Sequence, residues 1–140
     1  MSKLWRWQLV AALLTVGTAC SWGTQGDAAA ALKDPRGYFQ HHQLEFEKIL
    51  EMVQSGELRR PAGPDAYYGP ALPAPVKHLL ATGRVSILPD GDFFIPSWTG
   101  IPDDAGGYWH SASAPEGRDM YGMYCSEPIE LGAGWWACGL

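Results

Sequence analysis

Two adjacent histidines, His41 and His42, are candidates for chemistry because imidazole is a common metal ligand. On a helix, His41 and Glu45 have the i, i+4 spacing that places two ligands on one face. Neighbouring helical residues, however, point about 100° apart, and no second histidine follows four positions later. His78 and His110 would complete a site only through tertiary contact. The sequence therefore predicts neither a metal site nor a bound cofactor.

Aspartates accompany glycines at Asp90 and Asp92 and again at Asp103-Asp104, in patterns that superficially resemble calcium loops. Both lack the downstream bidentate glutamate of an EF-hand, and turn formation explains them without a cation. The hydrolase motifs Gly-x-Ser-x-Gly and Ser-x-x-Lys do not occur in the sequence. A glycosidase needs two carboxylates that are close in space, which is a matter of tertiary structure. No catalytic residue is predicted.

The aromatic residues beyond the first helical segment are candidates for ligand binding, because exposed rings can stack on sugars or anchor a protein partner. Adjacent residues of a strand point to opposite faces of a sheet. One member of Trp135-Trp136 and one of Tyr108-Trp109 are therefore expected to face away from the core. The alternative is a thin domain that buries aromatic residues on both faces. The predicted binding surface comprises Tyr67, Tyr68, Trp98, Trp109, Trp135 and Trp136.

The three cysteines are Cys20, Cys125 and Cys138, an odd number that would leave a free thiol in an oxidising compartment. If Cys20 is acylated or removed with a signal, the other two can pair. Gly132 and Gly134 allow the chain to reverse between them. We predict a Cys125–Cys138 disulfide; a redox-active pair is disfavoured because the spacing is not Cys-x-x-Cys.

Residues 1–19 have the layout of a secretory signal peptide. Lys3 and Arg6 supply a positive start, and an apolar run follows between Leu9 and Val16. This run is too short to span a bilayer, which needs about 20 apolar residues. The sequence therefore predicts export.

Cys20 is the predicted lipid attachment site. Thr18 and Ala19 precede it, as small residues precede the acylated cysteine of bacterial lipoproteins, although Gly17 stands where a branched apolar residue is usual. Most residues between Ser21 and Ala31 are small or polar, and residues 20–33 are predicted to be a flexible tether. Acylation would anchor the protein on the extracytoplasmic side of the cell membrane. Ordinary cleavage followed by free secretion is the alternative.

Asp34 and Pro35 predict a helix start, because aspartate caps free N–H groups and proline suits the first helical position. The apolar stripe that follows has helical spacing and consists of Phe39, Phe46, Ile49, Leu50 and Val53. One amphipathic helix is predicted from Pro35 to about Ser55, ended by Gly56. The proline-rich stretch over 61–75 is predicted to be an ordered connector.

After Gly83 the apolar period changes to two. A hairpin is predicted from Arg84–Ile87, the turn Pro89-Asp90-Gly91 and Phe93–Ile95. Further aromatic-rich strands are predicted at 107–111, 120–125 and 135–138. Residues 34–140 are therefore predicted to be a single α+β domain, with an amphipathic N-terminal helix packed on an antiparallel β-meander of about four to five strands.

The parts follow in this order: the helix over Phe46–Leu58, Leu72-Pro73, His78-Leu79, the hairpin with Phe93-Phe94-Ile95, Ile101-Pro102-Asp103 and Gly107-Tyr108. In this order they resemble those of small uncharacterised exported proteins, predicted lipoproteins, of actinobacteria. The resemblance covers most of the chain after the signal and implies an envelope location and an α+β layout. It implies no activity and no functional residues, since none is established for these proteins.

The formal net charge of −5 excludes a basic footprint for nucleic acid. An apolar fraction of 46% with 18% charged residues indicates a folded domain. We predict a binding or interaction module of the cell envelope that reaches the membrane through Cys20 and binds a glycan or a protein. A small secreted hydrolase acting on cell-wall or glycan material is the alternative.

Overall fold

The computed structural model of the protein describes residues 23–100 and 104–140, which form a mixed structure of helices and sheet. The predicted mixed α and β class is confirmed for this part of the chain. The predicted signal peptide, Cys20 and the predicted turn at 101–103 lie outside the described residues. Within the two described ranges, the helices lack the length and apolar character needed to cross a membrane.

The helices of the described part are α1 (Gly23–Lys33), α2 (Pro35–His41), α3 (Gln43–Gln54), a short 3-10 helix (Gly63–Ala66) and α4 (Ala74–Lys77). Asp34 caps α2 as predicted, because its carboxylate accepts a hydrogen bond of 2.9 Å from the backbone N–H of Gly37. The prediction of one continuous helix is wrong at His42, whose backbone (φ −108°, ψ 20°) separates α2 from α3.

The segment predicted to be a flexible tether is helical from Gly23 to Lys33. The run from Ala28 to Ala31 favours this, because alanine has the highest helix propensity. Ala31 is fully buried, and its small side chain allows α1 to lie close to α2 and to the second strand of the sheet. The tether prediction therefore does not hold for this part of the segment.

Five strands form an antiparallel sheet within the described ranges, in the order β1-β2-β3-β7-β6. Their bounds are β1 (Ser86–Ile87), β2 (Phe93–Gly100), β3 (Asp104–His110), β6 (Ile129–Gly132) and β7 (Trp135–Cys138). The predicted hairpin is confirmed, because Ile87 pairs with Phe93 across a turn in which Gly91 has a φ of 91°. The strands predicted at 107–111 and 135–138 correspond to β3 and β7, which pair directly.

The strand predicted at 120–125 is instead a separate two-stranded ribbon, β4 (Asp119–Met120) and β5 (Met123–Tyr124). Tyr121 and Gly122 form its turn with φ values of 57° and 103°. Positive φ at both central residues is typical of the tight turns that join hairpin strands. The edge strand β6 lies in the segment that was expected only to reverse the chain.

The predicted disulfide is confirmed as a pair at bonding distance: the Sγ atoms of Cys125 and Cys138 lie 1.99 Å apart and their Cα atoms 5.4 Å apart. The bond does not join two paired strands of one sheet. It joins the residue after β5 to the end of β7, and so attaches the ribbon to the main sheet.

The main sheet is covered on both sides. On the side that we call the helix face, Phe39 of α2 and Phe46 of α3 pack against Tyr108 and Trp135. On the opposite side, the ribbon face, a smaller cluster is covered by the β4–β5 ribbon. This cluster consists of Phe94, Ala105, Trp109, Met120, Cys125 and Cys138.

The proline-rich connector runs along the edge of the hairpin. The Leu72 N–H donates to the carbonyl of Gly83 (2.9 Å), and the Val85 N–H donates to the carbonyl of Pro70 (3.2 Å). Gly69 has a φ of 78°, and a Cβ atom there would meet the Val85 carbonyl oxygen. Only glycine allows this approach, which fixes the position of Tyr67 and Tyr68 just before it.

Candidate functional site

The structure separates the aromatic residues that were predicted to form one surface. Trp109 and Trp135 are buried on opposite faces of the sheet and cannot contribute to an exposed surface. Trp98 and Trp136 are half-buried, and their indole N–H groups donate to the carbonyls of Gly139 (2.9 Å) and Ser111 (3.1 Å). The alternative, a thin domain with aromatic residues in both cores, therefore describes the sheet tryptophans better.

Tyr67 and Tyr68 are exposed, and the structure adds Tyr121 to them. The ring centroid of Tyr67 lies 5.2 Å from that of Tyr68, and the ring centroid of Tyr121 lies 5.4 Å from each. Tyr67 and Tyr68 expose 42% and 48% of their surface. The three rings meet at steep angles and line one side of a cavity of about 300 Å³. We call this cavity the tyrosine cleft.

Asp119 of β4 holds the tyrosine cleft together. One of its carboxylate oxygens accepts a 2.9 Å hydrogen bond from the Gly122 N–H and so fixes the ribbon turn. The other accepts a 2.5 Å hydrogen bond from the Tyr67 hydroxyl. On the connector side, the Ser86 hydroxyl donates to the carbonyl of Tyr67 (2.8 Å). The ring of Tyr67 is therefore fixed by two elements at once.

Tyr121 occupies the left-handed region of backbone conformation, which is unfavourable for a bulky side chain. Such positions persist where the surrounding structure imposes them, and they cluster at functional sites. Burial raises the pKa of Tyr121 to about 12. Burial, followed by the hydrogen bond to Asp119, also raises the pKa of Tyr67. Both hydroxyls therefore stay neutral near pH 7.

The remaining wall of the tyrosine cleft is polar: Thr82, Thr99, Gly100, Asp104 and Gly122. The cleft thus combines neutral aromatic faces with hydroxyl groups and one carboxylate. A small number of convergent polar groups beside an aromatic surface is typical of small-molecule binding sites. Tyr121 and Asp119 were not predicted from the sequence, because only the ribbon turn brings them to the connector. The Tyr121-Gly122 pair carried the available signal, a turn sequence inside a segment predicted to be a strand.

A second group of polar side chains lies at the break between α2 and α3. Atoms of His42, Glu45 and His78 that could ligate a metal all lie within 4.8 Å of one another. His42 Nδ1 is 3.5 Å from the nearer Glu45 carboxylate oxygen. A backbone hydrogen bond and the nearby His42 lower the pKa of Glu45. The sequence had suggested His41 as the neighbour of Glu45, because an unbroken helix was expected.

Another groove, of about 470 Å³, runs between α2, α3 and the β6–β7 hairpin. Its floor includes Phe39 and Trp135, which are buried core residues. Its rim consists of long side chains, and the guanidinium of Arg36 is already bonded to the carbonyl of Glu130 (2.9 Å). The groove therefore offers less accessible aromatic surface than the tyrosine cleft.

The aspartates of the predicted turns form no pair of free carboxylates in the described part of the chain. Asp90 and Asp92 both accept hydrogen bonds from Arg118, at 2.8 Å and 3.0 Å, and Asp92 also accepts one from Ser111 (2.8 Å). Their arrangement is explained by the attachment of the loop before β4 to the β1–β2 turn.

Comparison of the chain with protein-family models, with curated proteins and with solved structures found no match.

Proposed function

We propose that this protein is an exported binding module of the cell envelope and that its tyrosine cleft binds a glycan. The observation that carries the proposal is the meeting of three tyrosine rings beside polar groups, with two of the rings more than a third exposed. The C–H faces of a sugar ring stack on neutral aromatic rings, and its hydroxyls bond to groups such as Asp104 and Thr99.

Export is supported by the Cys125–Cys138 pair, because disulfides persist in oxidising compartments. It is also supported by the signal-like layout of residues 1–19 and by the resemblance to exported proteins of actinobacteria. In this proposal Cys20 carries the lipid that holds the module at the membrane. An exported module without a catalytic motif has binding as its simplest role.

Calorimetric titration with a pentamer of N-acetylglucosamine tests the glycan proposal. Because an aromatic contact contributes about 0.5–1.5 kcal/mol, Tyr68→Ala should weaken binding by about two- to tenfold. Tyr124→Ala is the matched control, since Tyr124 is 65% exposed but lies outside the tyrosine cleft. Equal affinities of the Tyr68 and Tyr124 variants, or no binding by the unaltered protein, would contradict the proposal.

The hydrolase alternative is favoured by one observation, the His42–Glu45 pair at 3.5 Å, since such pairs serve in proton transfer. The same oligosaccharide tests it. Production of new reducing ends by the unaltered protein, lost in His42→Gln, would favour the hydrolase. A stable complex with intact oligosaccharide would favour the binding module.

Membrane fractionation of cells that produce the protein tests the anchor. If Cys20 is acylated, the protein should sediment with membranes and partition into detergent. Cys20→Ser should then accumulate at its full length with its signal retained. Normal cleavage and release of this variant would show that Cys20 carries no lipid, and secretion after ordinary cleavage would replace the anchored state.

A further inference from the structure

His42 and Glu45 are three residues apart, whereas His78 comes from a distant part of the chain. His42 is the residue between α2 and α3, and Glu45 lies in the first turn of α3. His78 directly follows α4 and is exposed. Nothing in the spacing of the sequence links His78 to the other two. The proximity of His78 to His42 and Glu45 is a product of the tertiary structure alone.

The frame around these residues is rigid. Phe46 and Ile49 of α3 are buried in the same core cluster as Val76 of α4 and Leu79, which flanks His78. The ring of His42 packs on that of Tyr38, with centroids 4.4 Å apart. The backbone positions of the three residues are therefore fixed by buried neighbours, while the exposed side chain of His78 can adjust.

The distances suit a common ion. Zinc bonds of about 2.0–2.2 Å place neighbouring ligand atoms of a tetrahedral site about 3.3 Å apart. The 3.5 Å between His42 Nδ1 and the Glu45 oxygen is already close to this value. The centroids of the His42 and His78 rings lie 5.8 Å apart, and a rotation of the exposed His78 side chain would close the remaining gap.

A purely local explanation accounts for part of this arrangement. Glu45 and His42 are three residues apart at a helix start, where an acidic side chain is favourable without any metal. That explanation does not account for His78, which brings a second imidazole to the same two groups. Two imidazoles and one carboxylate form the ligand set that zinc and related ions take in sites with an open coordination position.

We propose that His42, Glu45 and His78 bind one divalent transition-metal ion of the zinc class. The two imidazoles contribute one nitrogen each and Glu45 contributes a carboxylate oxygen. The remaining coordination position faces solvent on the side of the exposed His78. This site is separate from the tyrosine cleft and does not depend on the glycan proposal.

Titration of the full-length chain with Zn²⁺, followed by calorimetry, tests the site. The protein should carry Cys20→Ser, so that the thiol of Cys20 does not bind Zn²⁺. It should keep its Cys125–Cys138 disulfide and lack a polyhistidine tag. We expect one ion per chain. Because loss of an outer-shell partner already costs about 10–100-fold in metal affinity, His78→Ala and Glu45→Gln should each weaken binding at least about tenfold. His41→Ala, which removes an exposed neighbouring imidazole, should bind as the parent does.

Two further measurements separate lost ligation from lost folding. Zn²⁺ should raise the melting temperature of the parent and of His41→Ala but not that of His78→Ala, while all three melt alike in chelator. Co²⁺ bound to the parent should absorb visible light, and this absorption should be absent when Co²⁺ is added to Glu45→Gln. The site does not exist if the parent binds no stoichiometric Zn²⁺ or if His78→Ala and Glu45→Gln bind as tightly as the parent. A loss of affinity in His41→Ala alone would show that the assigned ligands are wrong.

Discussion

The two faces of the main sheet are stabilised in different ways. The helix face carries a continuous core in which α2 and α3 place aromatic rings on β3 and β7. The ribbon face has a small cluster, and its cover consists of two strands of two residues each, β4 and β5. An isolated two-stranded hairpin is marginal in water. The disulfide joins the ribbon to the sheet on this face, where the apolar cluster is the smaller of the two.

This difference indicates where stability and function lie. The helix face buries enough apolar surface to hold itself together, and it contributes little to the accessible aromatic surface. The ribbon face carries Tyr121, which reaches across to Tyr67 and Tyr68 of the connector. A ribbon held by a covalent bond can keep the strained turn at Tyr121 that a weakly packed hairpin would relax.

The largest effect is expected on the helix face. Phe46 is fully buried and contacts the rings of Phe39, Tyr108 and Trp135. Phe46→Ala should lower the free energy of unfolding by about 3–5 kcal/mol, because it removes apolar contacts and leaves a cavity. Urea unfolding followed by tryptophan fluorescence measures this change.

Leu44→Ala is the matched control on the same helix, because Leu44 is 79% exposed. It should leave the unfolding midpoint nearly unchanged. Similar losses at both positions would mean that α3 does not dock on the sheet through Phe46. Leu50, which belongs to the predicted apolar stripe, is only half-buried, and its truncation should cost less than that of Phe46.

The disulfide is expected to matter next. Replacing Cys125 and Cys138 together by alanine removes a cross-link between residues 13 positions apart in sequence and should lower the free energy of unfolding by about 3 kcal/mol. The effect of the double replacement should concentrate on the ribbon face, so hydrogen exchange of backbone amides should accelerate more near Met120 than near Phe46. Glycan binding should weaken as well, because Tyr121 loses its support. Addition of reductant should destabilise the parent but not this variant.

A labelling experiment checks the bond itself. Alkylation of oxidised protein without reductant should leave Cys125 and Cys138 unlabelled, as shown by intact mass. Two labelled thiols in these positions would overturn the assignment. The ribbon would then have to stay on the sheet without a covalent bond, through its small apolar cluster and the polar contacts of Arg118 and Asp119.

The elements of the molecule differ in how far the sequence predicted them. The β1–β2 hairpin, β3 and β7 follow from alternation and turn residues, and these are local signals. The break at His42 and the ribbon turn at Tyr121 do not, because both depend on what the segment packs against. The clustering of His78 with Glu45 and of Tyr121 with Tyr67 requires the fold itself, since each pair is distant in sequence.

A smaller effect is expected at Arg118, which ties the loop before the ribbon to Asp90 and Asp92. Because the three side chains are partly exposed, Arg118→Ala should cost about 1 kcal/mol or less at pH 7. The Arg118 hydrogen bond lowers the pKa of Asp90 below 3.8. The stabilisation by the Arg118–Asp90 contact is therefore fully present above 3.8, the pKa of an aspartate in the unfolded chain. It is lost as the pH falls through the lower pKa of Asp90 in the folded protein. Parent and variant should converge in urea unfolding at acidic pH.

The smallest effect is expected at His110, on the helix face, and it should appear at a different pH. The His110 ring stacks on Phe93 at 5.4 Å and lies 4.9 Å from Trp135. Burial lowers its pKa below the ordinary 6.5, so the unfolded chain binds more protons between the two values. The free energy of unfolding should therefore fall as the pH drops from about 6.5.

His110→Gln should remove this pH dependence, while His41→Gln, at an exposed position, should retain it. Unfolding curves between pH 8 and pH 5 for the histidine variants, and down to about pH 2 for Arg118→Ala, measure the difference between each variant and the parent. If His110→Gln follows the parent throughout, the helix face does not respond to protonation of this imidazole. If its curve flattens below pH 6.5, while Arg118→Ala stays less stable than the parent until the pH falls below 3.8, acid acts on the two faces of the sheet in separate ranges. Stronger acid would in addition weaken the attachment of the ribbon, because that attachment depends on carboxylates, whereas the helix face depends on a neutral imidazole.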